Sequence, residues 1–386
     1  MHYVIDSLWR GAVQLVRRPM YVLMIVIMPV LCAWFLMDLL KTGSVQRVPV
    51  AMVDLDRSGV SRRMARNLGS FQQVEITNHY TSFAQAKDAV QRGRVMGFFL
   101  IPEDFEENLL GGRQPVLSYY VNYAYFAPGS MQYKSFKTVS VMVGGSVVQT
   151  VMRTVGLRDE AIKPLLLPYA THVHMPGNPY LNYNYYLNAS FVPTLLSLFI
   201  LMVTAFALGT ELKTGLSVRW LHRAGDNIVV ALWGKLLPQT VLFTVVGWFI
   251  QWMMYVKFHF PLNCSPWTMI LAMPLLVMAN QGFAVTMFCF APNFRFGTTL
   301  CTLFGMLSFS FCGFSLPAES MYPWVAAIGH MMPSKYFFLI TTDQALNGLP
   351  LYYSRVYYAV LIAFTLLPLP LLWRLKHEAA DPVYIP

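Results

Sequence analysis

The stretch SFVPTLLSLFILMVTAFALGT, residues 190–210, decides the fold because it contains no Asp, Glu, Lys or Arg. About 20 apolar residues, rising about 1.5 Å each in a helix, match a hydrocarbon core of about 30 Å. Five more charge-free runs of membrane-spanning length follow or precede it: 19–37, 236–256, 260–294, 296–318 and 356–373. The sequence therefore predicts a polytopic α-helical membrane protein with six transmembrane helices.

Composition supports the bilayer as the main environment of the chain. Hydrophobic residues make up 56% of it and charged residues only 12%, whereas about a quarter of a soluble domain is charged. The net charge of +10 does not indicate nucleic acid, because the basic residues stand at the ends of apolar runs, as topology signals do. The five cysteines form no CxxC pair, so neither a metal site nor a disulfide framework is expected.

The apolar runs divide the chain into regions. The first run is longer than the apolar core of a signal peptide, about 7 to 15 residues, so we expect a retained span. The stretch SLWRGAVQLVRRP before it mixes Leu8, Trp9 and Val13 with arginines, as an interfacial helix does. The expected regions are an amphipathic cytoplasmic segment (1–18), a first transmembrane helix (19–40), an extracytoplasmic domain (41–189), a five-helix transmembrane bundle (190–374) and a cytoplasmic tail (375–386).

Orientation follows from the Lys and Arg count outside the long insertion. With six spans and an inside N-terminus, ten basic residues fall on the cytoplasmic side: Arg10, Arg17, Arg18, Lys213, Arg219, Arg223, Lys235, Arg295, Arg374 and Lys376. Only Lys257, Lys335 and Arg355 fall outside. Both termini are therefore expected in the cytoplasm.

The insertion reads as a folded α/β domain. RVPVAMVDLD and VMGFFLIP are strand-length β-branched and aromatic runs, and VLSYYVNYA alternates at period two. SGVSRRMARNL and SFAQAKDAVQRG have helical spacing, with Ser58 and Ser82 as N-caps and Gly93 as a stop. The predicted order is strand, helix, strand, helix, strand, helix, strand, then a longer helix over 130–157 and a Pro- and Tyr-rich stretch.

Four phrases, in order, resemble the ABC-2-type transporter permeases of bacteria, in the form with one span, a large extracytoplasmic domain and five further spans. VAMVDLDRSGVSRRM carries Asp54, Asp56 and Ser58, and AQAKDAVQRGRVMGFFLIPEDFEENLLGG carries Ile101, Pro102, Phe105 and Glu106. GTELKTGLSVRWLHRAGDNIVVALWGKLLP is similar to the family's cytoplasmic segment between the second and third spans. LPAESMYPWVAAIGHMMPSKYFF is similar to its paired short helices before the last span. The resemblance covers nearly the whole chain.

The resemblance implies the membrane subunit of an ATP-driven transporter, most often an exporter, in the bacterial inner membrane. The chain has no G-x-x-x-x-G-K-[ST] phosphate loop, since its Gly234–Lys235 pair is followed by Leu236. We therefore expect no enzyme activity and no bound cofactor in this chain. ATP and Mg would act through two copies of a partner ATPase. The resemblance also implies a second permease, as a homodimer or with a related chain, and a periplasmic adaptor is a further candidate partner.

The loop 211–226 is the candidate ATPase-coupling segment. It mixes charged residues with Leu212, Leu216 and Trp220, and aromatic and arginine side chains dominate interface energies. The expected coupling residues are Glu211, Lys213, Gly215, Arg219, Trp220, Arg223 and Asp226. The alternative is an ordinary basic loop that lies on the lipid headgroups.

Residues 317–350 are the candidate outer gate. Broken backbone at membrane depth needs protein or a cavity to satisfy it, so two re-entrant short helices are expected, packed against the outer ends of the fifth and sixth spans. The expected gate residues are Pro317, Met321, Pro323, Trp324 and Pro333. A plain interfacial loop is the alternative.

Other polar residues suggest no chemistry. Asp54, Asp56, Ser58 and Ser61 are better explained as a turn and a helix cap than as a hydrolase site, since no histidine is near in sequence until His79. His172 and His174 lack a carboxylate or cysteine nearby, so a surface loop is favoured over a metal site. Hydrogen bonds between helices explain the uncharged residues Asn280, Gln281, Gln251 and Gln239 at least as well as a substrate path does.

The sequence names no substrate-binding residue. Its aromatic content suits an amphipathic or lipid-like substrate or drug, although membrane helices also carry aromatic residues as anchors. The competing functional class is a membrane-anchored extracytoplasmic sensor or scaffold without transport activity.

Overall fold

The computed structural model describes residues 2–43, 45–156, 158, 160–162, 177–178, 182–290, 292–313, 317 and 320–381. It divides into two compact units, one formed by Met1–Gly43 with Met175–Pro386 and the other by Ser44–His174. Most of the predicted Pro- and Tyr-rich stretch, including His172 and His174, lies outside the described residues.

The described helices and strands share the order that the apolar pattern predicts. In chain order they are α1 (His2–Arg17), α2 (Pro19–Leu39), β1 (Val48–Asp54), α3 (Gly59–Gly69), β2 (Val74–Tyr80), α4 (Phe83–Gln91), β3 (Gly97–Ile101), α5 (Phe105–Leu110), β4 (Ser118–Val121), α6 (Phe126–Thr154), α7 (Tyr183–Lys213), α8 (Ser217–Arg223), α9 (Ile228–Lys257), α10 (Pro266–Phe290), α11 (Phe294–Phe311), α12 (Pro323–His330), α13 (Pro333–Ile340), α14 (Leu351–Leu366) and α15 (Leu372–Ala380).

Within the described residues, five helical segments are long and apolar enough to cross a membrane. They are α2, α7, α9, α10 and the run Leu351–Ala380 that contains α14 and α15. The predicted fifth span forms α11, which has 18 residues and would be about 27 Å long. This helix packs along α7, where Gly305 lies against Leu198. The chain is thus a polytopic helical membrane protein, and the count of six spans stays a prediction.

The Ser44–His174 unit has the predicted alternation of strands and helices. Its sheet has the strand order β2-β1-β3-β4, in which β1 is parallel to β2 and β3, while β4 is antiparallel to β3. Alternate residues of β1 point to opposite faces. Met52 packs with α3 and α6 through Met64 and Phe136, and Val53 packs in the cluster of α4. Each face therefore has its own core.

The acidic phrase of β1 has the structural role expected for it. Ser58 caps α3 by accepting a hydrogen bond from the Ser61 backbone N–H at 3.0 Å, and the Ser61 hydroxyl donates to Asp54 at 2.8 Å. Asp56 accepts from the Glu106 N–H at 3.3 Å, and Glu106 accepts in return from the Gly59 N–H at 3.1 Å. Two phrases separated by about 50 residues thus tie the starts of α3 and α5 together.

Several boundaries differ from the sequence estimate. Helix α7 begins at Tyr183 rather than at residue 190, because Asn182 caps it by accepting from the Asn184 N–H at 2.8 Å. Helix α6 begins at Phe126 and ends at Thr154. Its described C-terminal neighbour Gly156 has φ +89°, a conformation that ends helices and favours glycine.

Candidate functional site

Four polar side chains meet inside the unit that contains the candidate spans, where α1, α7 and α9 come together. Glu211 near the end of α7 accepts hydrogen bonds from Lys235 Nζ at 2.6 Å, Arg10 Nη2 at 2.8 Å and Gln14 Nε2 at 3.0 Å. Lys235 Nζ also lies 3.4 Å from Gln14 Oε1. We call Arg10, Gln14, Glu211 and Lys235 the charge cluster.

Glu211 and Lys235 of the charge cluster are buried, and Arg10 and Gln14 are half-buried. The side chains of Lys235 and Glu211 are 6% and 4% exposed, and that of Arg10 is 14% exposed. Two cations share one carboxylate, so the cluster carries a net charge of +1 (two cations minus one anion). Buried charges are tolerated only with close partners and good hydrogen bonds. The cluster therefore holds α1 against the ends of α7 and α9.

Backbone contact reinforces this junction. A Cβ placed on Gly11 of α1 would collide with the Gly234 carbonyl of α9, and one placed on Gly234 would collide with Ser7. Only glycine permits two helices to approach so closely at this level. Helix α1 is therefore fixed along α9 by direct contact as well as by charge.

The predicted coupling loop forms the short helix α8 beside the charge cluster. The loop leaves α7 through Gly215, whose φ of +66° suits a helix end that needs glycine. Trp220 is 4% exposed; its indole N–H donates to the Ala231 carbonyl at 3.1 Å. Lys235 Nζ lies 5.7 Å from the centre of the Trp220 ring. Helix α8 also packs against α15.

The structure separates the predicted coupling residues into two groups. Glu211 and Trp220 are buried and hold the loop in place. The exposed group consists of Lys213, Gly215, Arg219, Arg223 and Asp226. Asp226 accepts from His222 at 3.0 Å. The surface available to a partner is thus the charged, outward side of α8 and its flanks.

Sequence reasoning missed the charge cluster. The sequence pattern marks Arg10 and Lys235 only as topology signals and gives no prominence to Gln14. The signal that could have found the cluster is the position of its charged residues within apolar helices. Glu211 lies in the last turn of one such helix, and Lys235 lies two turns inside the next. Ionisable residues inside apolar helices are expensive and pair with one another.

The predicted outer gate forms two short helices. Helix α12 packs against α11, and α13 packs against α7, α10 and α14, so both the fifth and the sixth predicted spans are contacted as expected. Pro317, Pro323 and Trp324 are exposed, Met321 is half-buried and Pro333 is buried. Lys335 of α13 is 3% exposed and its Nζ lies 3.4 Å from His330 Nε2, a contact that the sequence did not indicate.

Three of the four amides singled out in the spans make the expected hydrogen bonds between helices. Gln251 donates to the Met269 carbonyl at 3.1 Å, and Asn280 donates to the Ser197 hydroxyl at 3.1 Å. Gln281 accepts from the Thr240 hydroxyl at 2.7 Å and lines an apolar cavity of about 310 Å³ between α9, α10 and the α14–α15 turn. No bond to Gln239 Oε1 is present among the described residues.

The comparisons agree with this architecture. Residues 19–374 match the family model of the ABC-2 family transporter proteins. Comparison with individually curated proteins gives no significant match. The matched segment covers most of the chain, from the first candidate span to α15, and includes α8 and the short helices α12 and α13. The chain therefore belongs to the ABC-2 transporter family, as a multi-pass membrane permease component of an ABC transporter.

Proposed function

We propose that this chain is the permease subunit of an exporter in the bacterial inner membrane, energised by a separate ATPase that docks on α8. The family supplies the permease role and implies an ATPase partner. The proposal also includes export as the direction of transport, two copies of the ATPase, a second permease and cytoplasmic termini.

The observation that carries the proposal is the division of the loop 211–226. Trp220 and Glu211 anchor it internally, whereas Arg219 and Arg223 are presented on the surface. A loop that merely lay on headgroups would need no such internal anchor. A rigid helix with outward arginines suits a docking element, because ordered side chains lose less entropy on binding.

The charge cluster gives the docked helix a mechanical connection. Helix α8 contacts α1, α7, α9 and α15, and Glu211 bonds to both Arg10 and Lys235. A displacement of α8 by the ATPase would therefore be passed to the second and third predicted spans. This connection is how we propose that ATP hydrolysis moves the permease.

We further propose an amphipathic or lipid-like substrate. The cavity of about 310 Å³ is lined mainly by apolar residues of α9, α10, α14 and α15, with Thr240, Gln281 and Thr365 as polar exceptions. That volume and this mixture are typical of small-molecule sites. The exposed side chains of Trp233 and Leu366 on its rim suit entry from the lipid.

Co-purification from native membranes tests the function. An ABC ATPase recovered in stoichiometric amount with the permease would support the proposal. The Ser44–His174 unit has its own cores, which favours the sensor or scaffold as the second candidate. Recovery of the permease without any ATPase, under conditions that preserve a known transporter complex, would favour that candidate instead.

A further inference from the structure

The corner where α1 meets α2 carries a concentrated positive charge. A pocket of about 510 Å³ there is lined by Asp6, Trp9, Arg10, Val13, Gln14, Arg17, Arg18 and Arg223. We call it the arginine pocket. Its lining holds four guanidinium groups and one carboxylate, a net charge of +3 (four minus one). Glu211 already pairs with Arg10, and a bound anion would offset the repulsion among the remaining guanidinium groups.

Arg10 has one guanidinium nitrogen that lacks an acceptor among the described residues. Its Nη2 donates to Glu211 at 2.8 Å, whereas its buried Nη1 has no hydrogen-bond acceptor among the residues that the structure describes. A guanidinium presents several donors in a fixed plane, which matches the oxygens of a phosphate. A phosphate in the pocket would neutralise part of the charge of the four arginines that line it.

Residues next in sequence to Arg17 and Arg18 line a separate apolar groove. It has a volume of about 590 Å³ and is lined by Val16, Pro19, Met20, Val22, Leu23 and Ile27. We call it the chain groove. Arg17 and Arg18 line the pocket while Val16, Pro19 and Met20 line the groove, so charged and apolar surfaces meet within a few residues. Val16 is 80% exposed and Met20 is 50% exposed.

We propose that this corner binds an anionic phospholipid of the surrounding bilayer, with its phosphate in the arginine pocket and an acyl chain along the chain groove. The depth is suitable, because α1 ends where α2, a candidate span, begins, and that point is the headgroup level of an interfacial helix. Basic pockets at the cytoplasmic ends of membrane helices suit acidic headgroups. A free phosphate would use the pocket but not the groove.

This inference goes beyond the proposed function, since lipid binding is a property of the permease alone. Arg223 belongs to α8 and lines the arginine pocket. The bound lipid would therefore contact the helix that we propose as the ATPase docking element. Arg223 would therefore contact both the bound lipid and the docked ATPase.

Native mass spectrometry of the purified full-length permease tests the site. The protein is incubated with equal amounts of phosphatidylglycerol and phosphatidylethanolamine that carry the same acyl chains. We expect the wild type to prefer phosphatidylglycerol. Arg17→Gln with Arg18→Gln should reduce that preference by roughly 30-fold, about five-fold for each arginine near the headgroups.

The matched control is Arg63→Gln with Arg66→Gln, which removes two exposed arginines from α3 and should leave the preference unchanged. Arg17→Gln alone, at an exposed position, is the second variant if the double variant folds poorly. An absent preference in the wild type, or equal losses in test and control variants, would overturn the proposal.

A competition separates lipid from simple anion. Inorganic phosphate at the same concentration as the lipid should displace little phosphatidylglycerol, because it cannot occupy the chain groove. Val16→Ser with Met20→Ser should weaken phosphatidylglycerol binding while leaving phosphate binding unchanged. Complete displacement by inorganic phosphate would show an anion pocket without a lipid site, and the proposal would be abandoned.

Discussion

Glu211 and Lys235 lie 24 residues apart in sequence, yet their side chains meet at 2.6 Å between Oε1 and Nζ in a buried environment. The loop 211–226 lies between them and is closed by this contact. The ion pair therefore joins the two helices that flank the segment that we propose as the docking element. Arg10 of α1 also pairs with Glu211, so α1 is joined to the same two helices.

The charge balance of the cluster predicts unequal effects of neutralising its members. Glu211→Gln should destabilise the permease by about 3–5 kcal/mol, because it leaves two buried cations without a counterion. Lys235→Met should cost much less, since it leaves the pair of Glu211 and Arg10 intact. Thermal unfolding of the purified variants in one detergent gives the comparison.

The double variant Glu211→Gln with Lys235→Met sharpens this test. It should be more stable than Glu211→Gln alone, because removal of Lys235 relieves the unpaired charge, a non-additivity that is expected for residues in contact. Additive losses would show that the three charges act independently and would contradict the cluster.

Because the arginines of α8 are exposed, we expect their substitution to weaken ATPase binding without unfolding the permease. Arg219→Ala with Arg223→Ala should lower the affinity for the ATPase by roughly 30-fold, the effect of losing about 2 kcal/mol at an interface hot spot. Retention of the ATPase on immobilised permease measures it. Arg63→Ala in α3 is the control.

Trp220→Ala provides a contrast within the same helix. Trp220 is buried and bonded to Ala231, so this change should lower the unfolding temperature as well as ATPase retention. If the variant with Arg219→Ala and Arg223→Ala retains the ATPase fully, the docking role is wrong and α8 is better explained as a basic segment that lies on the lipid headgroups.

The charge count predicts opposite sides for Arg223 and Gln85. Both positions are exposed within their own units. A cysteine at position 85 should react with an impermeant thiol reagent in intact cells, and one at position 223 should react only after permeabilisation. Five native cysteines make a cysteine-free parent the required control, and labelling at 223 in intact cells would reverse the orientation.

The short helices α12 and α13 predict a gate that follows the ATPase cycle. Trp324 is 68% exposed, so it is available for contact with a second permease. Trp324→Ala with Met321→Ala should change transport or substrate-stimulated ATPase activity while the Ser44–His174 unit stays folded. Pro333 is buried and should be left in place, because its loss would disturb α13.

Thiol accessibility gives the independent measure of this gate. Cysteines at positions 321 and 324 should label differently when the ATPase is trapped with nucleotide. High labelling that ignores nucleotide at both positions would show a solvated interfacial loop.

The fold was largely predictable because periodic patterns specify it. Ser58 and Ser82 cap their helices as their sequence context predicts, and the strand order along the chain follows from β-branched runs. The charge cluster was not predictable in this way. Arg10 and Glu211 are 201 residues apart, and nothing local in either stretch indicates which helix ends will meet.

The same limit explains the coupling residues. Composition identified α8 as a docking candidate, but a seven-residue helix does not show by its pattern which side faces inward. Packing against α15 and α9 decided that Trp220 is interior and Arg219 exterior. Sequence located the segment, and tertiary contact assigned its faces.

The distance in sequence between Arg10 and Glu211 also has a consequence in time. At about 5 to 20 residues per second, some 200 residues take roughly 10 to 40 s to synthesise. During that interval α1 has already been synthesised, but Glu211, the carboxylate that pairs with Arg10, has not. Helix α1 therefore reaches its final partners on α7 and α9 only after the second and third predicted spans have been made, although it is the first helix of the chain.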